Sequence, residues 1–249
     1  MVKVLMFQVD NRLDLDYLCL TRKINANWQE YLYSSPHTNQ FQYTYLFFYM
    51  MKHYYEKVHP ATAKIQIVMD LLNENKYDIV VFLDSDAWIQ NPDYLHQLIE
   101  QLLATPNIHG CYSRDPFITK NTYINSGSFV LKINDYTRNM YRTLLEELKT
   151  DTSHLHEWTY DQYYISNYVF QNKSDFWIFN PDVLNTPFGM ILRHNWYKNV
   201  KMFRDLYQLL DKSYVYTKPI EPFLVEKHMD TAEYPNKDDS GYHFNTFND

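Results

Sequence analysis

Apolar and polar positions along the chain fall into short unbroken apolar runs alternating with stretches of helical spacing. The first run, residues 2–9, predicts an inner strand that ends at Asp10-Asn11-Arg12. Residues 14–33 then place Leu15, Leu18, Ile24, Trp28 and Leu32 at helical intervals. Two more helices are expected at 43–58 and 61–75, the first dense in aromatic residues, the second presenting Ile65, Val68, Met69 and Leu72 on one face. Next comes Ile79-Val80-Val81-Phe82-Leu83, apolar without alternation, which predicts a strand buried on both faces, as in a parallel sheet. A helix at 92–103 follows, with Asn91 as cap and Pro92 at its first position. Strands are predicted at 108–113 and 128–133, and a helix capped by Asn134 runs to 149. A helix headed by residues 158–162 ends near 170, short strands lie at 176–179 and 190–192, and the last helix spans 197–210. From Asp211 onward periodicity is lost. Strands alternating with helices indicate an α/β fold, one domain over 1–249 with an irregular C-terminal segment at 211–249.

Composition narrows the function. The formal net charge is −7 and the pI about 5.8, without a dense Lys/Arg run, so phosphate-backbone binding to nucleic acid is not expected. Cys19 and Cys111 do not form a disulfide framework, which points to a reducing, cytoplasmic setting. No apolar stretch has the length of a transmembrane segment, and the run at 43–51 reads as a buried helix. Aromatic residues make up 18% of the chain, which suits both a core and sugar-binding surfaces.

The sharpest chemical signal is Asp84-Ser85-Asp86, directly after the apolar run. While the chain stays extended, residues i and i+2 project to one face, so both carboxylates are expected to converge. No Lys or Arg occurs between Lys76 and Arg114 to balance them in sequence. Two such carboxylates repel, and a hard divalent cation relieves the repulsion. Ligands of open α/β sheets bind beyond the carboxyl ends of strands, where this pair falls.

Four segments, in order, resemble nucleotide-sugar glycosyltransferases of the GT-A (Rossmann-like) fold. The resemblance is strongest to the retaining α-galactosyl-, α-mannosyl- and α-xylosyltransferase family, family 34. Pro60-Ala61-Thr62-Ala63-Lys64-Ile65 resembles its Pro-x-Trp-x-Lys-Ile helix start, with Thr62 in place of Trp. Leu83-Asp84-Ser85-Asp86-Ala87 with Ile89, Asn91 and Pro92 matches its metal motif, and Asn125-Ser126-Gly127 its Asn-Thr-Gly loop. Asp161-Gln162 falls at its acidic residue beside a Gln. Gly189 to His194 keeps its Gly-to-His spacing, although Asn195-Trp196-Tyr197 replaces the family's aromatic-small-Gly run.

The resemblance implies a mixed, mainly parallel sheet flanked by helices and a single GT-A domain. It implies a UDP-sugar donor, with GDP-mannose as the alternative, a glycan or other hydroxyl acceptor, and retention of α configuration. Mn²⁺, or Mg²⁺, would sit on Asp84, Asp86 and His194, with the imidazole favouring Mn²⁺. Lys64, Asn125, Gly127 and Lys198 would contact the donor, Gly127 by close backbone approach. Gln8, Asp10 and Arg12 would meet base and ribose by fold analogy alone. Asp161 and Gln162 would line the β face of the anomeric carbon. Two other classes compete. A haloacid-dehalogenase-like phosphatase also places D-x-D after an apolar strand, but Trp88 stands where it needs Thr or Val. A lectin-like degenerate transferase would bind without turnover.

Overall fold

A computed structural model describes residues 1–34, 39–119, 122–196, 200–211 and 221–232, apart from the side chains of 117–119 and 200. In chain order the elements are β1 (Val2–Asp10), α1 (Asp16–Ser34), β2 (Phe41–Tyr49), α2 (Lys52–Tyr55), α3 (Pro60–Glu74), β3 (Ile79–Leu83), β4 (Ala87–Ile89) and α4 (Pro92–Ala104). They continue with β5 (Gly110–Thr119), β6 (Thr122–Lys132), α5 (Asp135–Thr150), α6 (Asp161–Gln171), β7 (Phe176–Phe179), α7 (Pro181–Leu184), β8 (Leu192–His194) and α8 (Val200–Leu210). The main sheet has the order β2-β1-β3-β6-β5-β7, with β6 antiparallel to both its neighbours and the other pairings parallel. This is the mixed, mainly parallel α/β sheet the sequence predicted.

Its inner strands are apolar on both faces because helices cover both. Leu5, Phe7, Val80 and Phe82 point into a core shared with α3, α5 and α6. Their alternate neighbours Val4, Met6, Val81 and Leu83 meet Leu95, Leu98, Ile99 and Leu102 of α4. All five residues of β3 are buried, each contributing about 1.5–3 kcal/mol of burial free energy. The expected caps are present: the Asn91 side chain accepts the Tyr94 N–H, and Asn134 with Thr137 forms a reciprocal capping box.

The largest departure is at 43–58, read as a helix. Residues 41–49 are instead strand β2, paired parallel to β1 from Val2↔Phe41 to Asp10↔Tyr49, and only the single turn of α2 is helical after it. Phe41-Gln42-Tyr43-Thr44-Tyr45 has the aromatic and Thr content of a strand, and its edge position leaves much of it half-exposed. Helical spacing of aromatic residues was therefore coincidental. Strand β6 also starts earlier than 128, so Asn125-Ser126-Gly127 lies within a strand, not in a loop before one. The short strand expected at 190–192 is displaced to Leu192–His194.

Of the segment 211–249, residues 211 and 221–232 are described, and the latter have a single 3-10 turn at Val225–His228 and lay Phe223 and Val225 into the core. Lys198 lies outside the described residues, as do 212–220 and 233–249. Among the described residues no helix is long and apolar enough to cross a membrane.

Candidate active site

Strand β3 delivers its chain to the carboxyl edge of the sheet and stops there, because Asp84 and Ser85 begin a turn. The Ala87 N–H donates to the Asp84 carbonyl at 2.9 Å, so the D-x-D segment is not extended as the sequence reading assumed. The carboxylates converge through the turn instead. Three anchors set its shape. The Asp84 N–H donates to the Gly127 carbonyl at 2.7 Å, just beyond Leu83↔Ser128, where the antiparallel pairing of β3 with β6 ends. Gln8, fully buried in β1, donates through Nε2 to the carbonyls of Asp84 (2.9 Å) and Ala87 (3.3 Å). Thr21 of α1 donates to the Ser85 carbonyl at 2.8 Å.

Strand β4 pairs antiparallel with β8, setting His194 opposite Ala87, and the Asn195 N–H donates to the Asp86 carbonyl at 3.1 Å. The His194 Nε2 thereby stands 3.2 Å from Asp86 Oδ1 and 3.8 Å from Asp84 Oδ2. One ligand atom from each of the three residues lies within 4.8 Å of the other two. Asn185 and Gly127 fix the imidazole. Its Nδ1 donates to Asn185 Oδ1 at 2.9 Å, which leaves Nε2 facing the carboxylates. Gly127 supplies the space: a Cβ there would overlap the His194 Cε1 and Nδ1 and come within 2.8 Å of Nε2.

This donor set fits a divalent cation. An unprotonated Nε2 facing a carboxylate is repulsive unless a proton or a cation lies between them. Burial pulls the His194 pKa down, but the charge and hydrogen bond of Asp86, with Asp84 behind, outweigh it and leave it raised.

Opposite this cluster sits a cation that sequence neighbours did not reveal. Lys64, on the first turns of α3, places Nζ 3.1 Å from Asp84 Oδ1 and 3.4 Å from Asp161 Oδ2. The expectation that no cation balances the aspartates holds for sequence neighbours and fails in space. Burial lowers the Lys64 pKa, but Asp161 and Asp84 together raise it further, so the ammonium stays charged. Burial also raises the Asp161 pKa, and Lys64 offsets this only in part.

The remaining expected residues divide. Asp10 binds Arg12 in a fork, at 2.9 Å through Nη2 and 3.0 Å through Nε, and accepts a hydrogen bond from the Ser85 hydroxyl. It is committed to the turn, while Arg12 remains largely exposed in the cleft. Gln8 does not line the cleft and supports the turn from beneath. Asn125 donates to Asp115 Oδ2 at 3.0 Å and accepts the Gly127 N–H at 2.8 Å, and Gln162 donates to the same Asp115 oxygen at 2.8 Å. Asp115 and Asn185 were missed in the sequence. Each is a single polar residue without partner spacing, and only strand pairing brings it to the site.

Apart from Gln8 and Asn185, these groups line one cleft of about 690 Å³. Its wall includes Tyr160, whose φ of 53° and ψ of −131° are those of a turn position that glycine favours, a conformation that costs about 1–3 kcal/mol.

Gly127→Ala follows directly from this geometry. The added methyl is expected to displace the imidazole, weaken Mn²⁺ binding by about 10–100-fold and lower stability by about 1–3 kcal/mol through overpacking. Calorimetric Mn²⁺ titration beside chemical denaturation measures both, and unchanged metal affinity would show that Gly127 does not seat His194.

No family model matches the sequence, and neither does any curated protein. Solved structures do. The chain is similar to the crystal structure of a glycosyltransferase involved in the glycosylation of the major capsid of PBCV-1. The TM-score is 0.59 at 14% identity, covering 81% of this chain and 98% of that one. The crystal structure of the glycosyltransferase GlyE in Streptococcus pneumoniae TIGR4 aligns at a TM-score of 0.46 and 13% identity, over 73% of this chain and 46% of that one. The first likeness establishes a glycosyltransferase-type fold, and the second is too distant to add to it.

Proposed function

We propose that the chain is a metal-dependent glycosyltransferase. It moves a sugar from a nucleotide diphosphate donor to a hydroxyl acceptor with retention of α configuration. A UDP-sugar is the favoured donor and GDP-mannose the alternative. The observation that carries this reading is the Asp84–Asp86–His194 cluster at the carboxyl edge of a sheet with a glycosyltransferase-type fold.

Mn²⁺, or Mg²⁺, held by these three side chains would supply Lewis-acid stabilisation to the departing diphosphate. The protein's own groups do the rest. Gln8, Thr21 and the Gly127 carbonyl hold the D-x-D turn rigid, so the carboxylates need not reorganise when the donor binds. Arg12, exposed on the cleft wall, offers a second cation to a phosphate. Lys64 ties the phosphate end of the cleft to its sugar end by bridging Asp84 and Asp161. Asp161 and Gln162 line the face from which retention requires either a nucleophile or a guided leaving group. The Asp115–Asn125–Gln162 hydrogen bonds orient the Gln162 amide.

The test is release of nucleoside diphosphate from UDP-galactose, UDP-glucose, UDP-xylose, UDP-GlcNAc and GDP-mannose with Mn²⁺ present. At least one donor should turn over, and NMR of the first-formed product should show an α linkage. No release from any donor would leave a binding protein without turnover, and a β-linked product would rule out retention.

A further inference from the structure

The same cleft has a lip that none of this donor chemistry uses. Trp158 lines the cleft three residues before Asp161 and leaves 62% of its surface exposed. Tyr160, held in its glycine-like conformation, lays its ring on the His59 imidazole, with centroids 3.9 Å apart and planes 12° apart. His59 is itself fixed. Its Nδ1 accepts the Ala61 N–H at 3.1 Å, and its backbone N–H donates to the Leu155 carbonyl at 2.7 Å. A stacked pair and a large exposed indole thus line the cleft next to the carboxylate proposed to face the anomeric carbon. Strained backbone of this kind persists where the surroundings hold it for a purpose.

We infer that this lip is an acceptor subsite that takes a pyranose ring, so that the enzyme extends a glycan and does not glycosylate a bare protein hydroxyl. The inference rests on the transferase reading above. Its position favours an acceptor over the nucleoside of the donor. The new bond forms at the anomeric carbon, and with retention the acceptor hydroxyl arrives on the face the diphosphate leaves, its own ring held at the open mouth of the cleft, where Trp158 is exposed. The nucleoside extends from the diphosphate, whose expected ligands are Asp84, Asp86 and His194, whereas Trp158 and Tyr160 lead directly into Asp161. An apolar ring face receives the C–H face of a sugar while leaving its hydroxyls free to react.

The experiment compares wild type, Trp158→Ala and Trp158→Phe, using the methyl glycosides of glucose, galactose, mannose, fucose and xylose as acceptors. With whichever donor turns over, Trp158→Ala should raise the acceptor KM about tenfold, roughly the weight of one aromatic contact, and Trp158→Phe should recover most of it. The donor KM and metal requirement should stay within about twofold, since Trp158 touches neither in this assignment. Saturation-transfer NMR should show at least one methyl glycoside bound to the wild type through its C–H face, with the signal lost in Trp158→Ala. Binding of none of the sugars, an unchanged acceptor KM, or weakened nucleotide binding in Trp158→Ala would each overturn the assignment, the last by giving the lip to the base. Failure of every donor to turn over would instead overturn the transferase reading, and the NMR measurement still decides the lip on its own.

Discussion

Lys64→Met is expected to destabilise the metal-free protein by about 3–5 kcal/mol at pH 7, the range for removing one partner of a buried ion pair. Lys64 is nearly inaccessible, and so is Asp161. Methionine fills much of the same volume, so the loss comes from charge. Asp161 would be left ionised in a dry site with Asp84 nearby, both of which already raise its pKa. Without the ammonium the Asp161 pKa rises further above its unfolded value of 3.8. A carboxyl shifted that way is protonated in the folded state first. The stability deficit is therefore small near pH 4 and grows as pH rises through the folded-state pKa. Urea denaturation of wild type and variant at pH 7 and pH 5 checks this, and the gap should narrow at the lower pH. A gap equal at both values would mean that Asp161 does not carry the unpaired charge. Turnover should fall at least tenfold at both, because Lys64 also sets the position of Asp84 and Asp161.

Asp86→Asn tests the other half of the site and is expected to show the opposite pattern, a large functional loss with little cost in stability. Asp86 faces Asp84 and His194, and its backbone carbonyl, which accepts the Asn195 N–H, is kept in the variant. Stability without metal should stay within about 1 kcal/mol. Turnover should fall by about a hundredfold or more, the usual weight of one electrostatic group at a site of developing charge. Wild type should lose activity in excess chelator and regain it with Mn²⁺. Mn²⁺ at a hundred times its Kd should stabilise the wild type by about 2.7 kcal/mol, and should leave Asp86→Asn close to its metal-free melting temperature. Full turnover in chelator would remove the metal from the reaction.

The sequence by itself determined the frame and the chemistry of one edge. An apolar run with no alternation can only be satisfied by burial on both faces, so β3 was legible as an inner strand. The helices α3, α4 and α5 were legible because apolar spacing agrees with a local start signal, Pro60 in α3, Asn91 with Pro92 in α4 and Asn134 in α5. Asp84 and Asp86 were legible because they are adjacent in sequence and end that strand. The fate of 41–49 was not, since a short aromatic run satisfies a helix or an edge strand equally, and its pairing with β1 decides between them. Only the tertiary structure brought Lys64 from α3 and Asp161 from α6 to the aspartates, and the pairing of β4 with β8 carried His194 to Asp86. It also set the His194 ring against Gly127, where a side chain would collide with it. Contacts between residues twenty or more positions apart leave no periodic trace in the chain, because they are fixed by strand register and helix packing and not by local spacing.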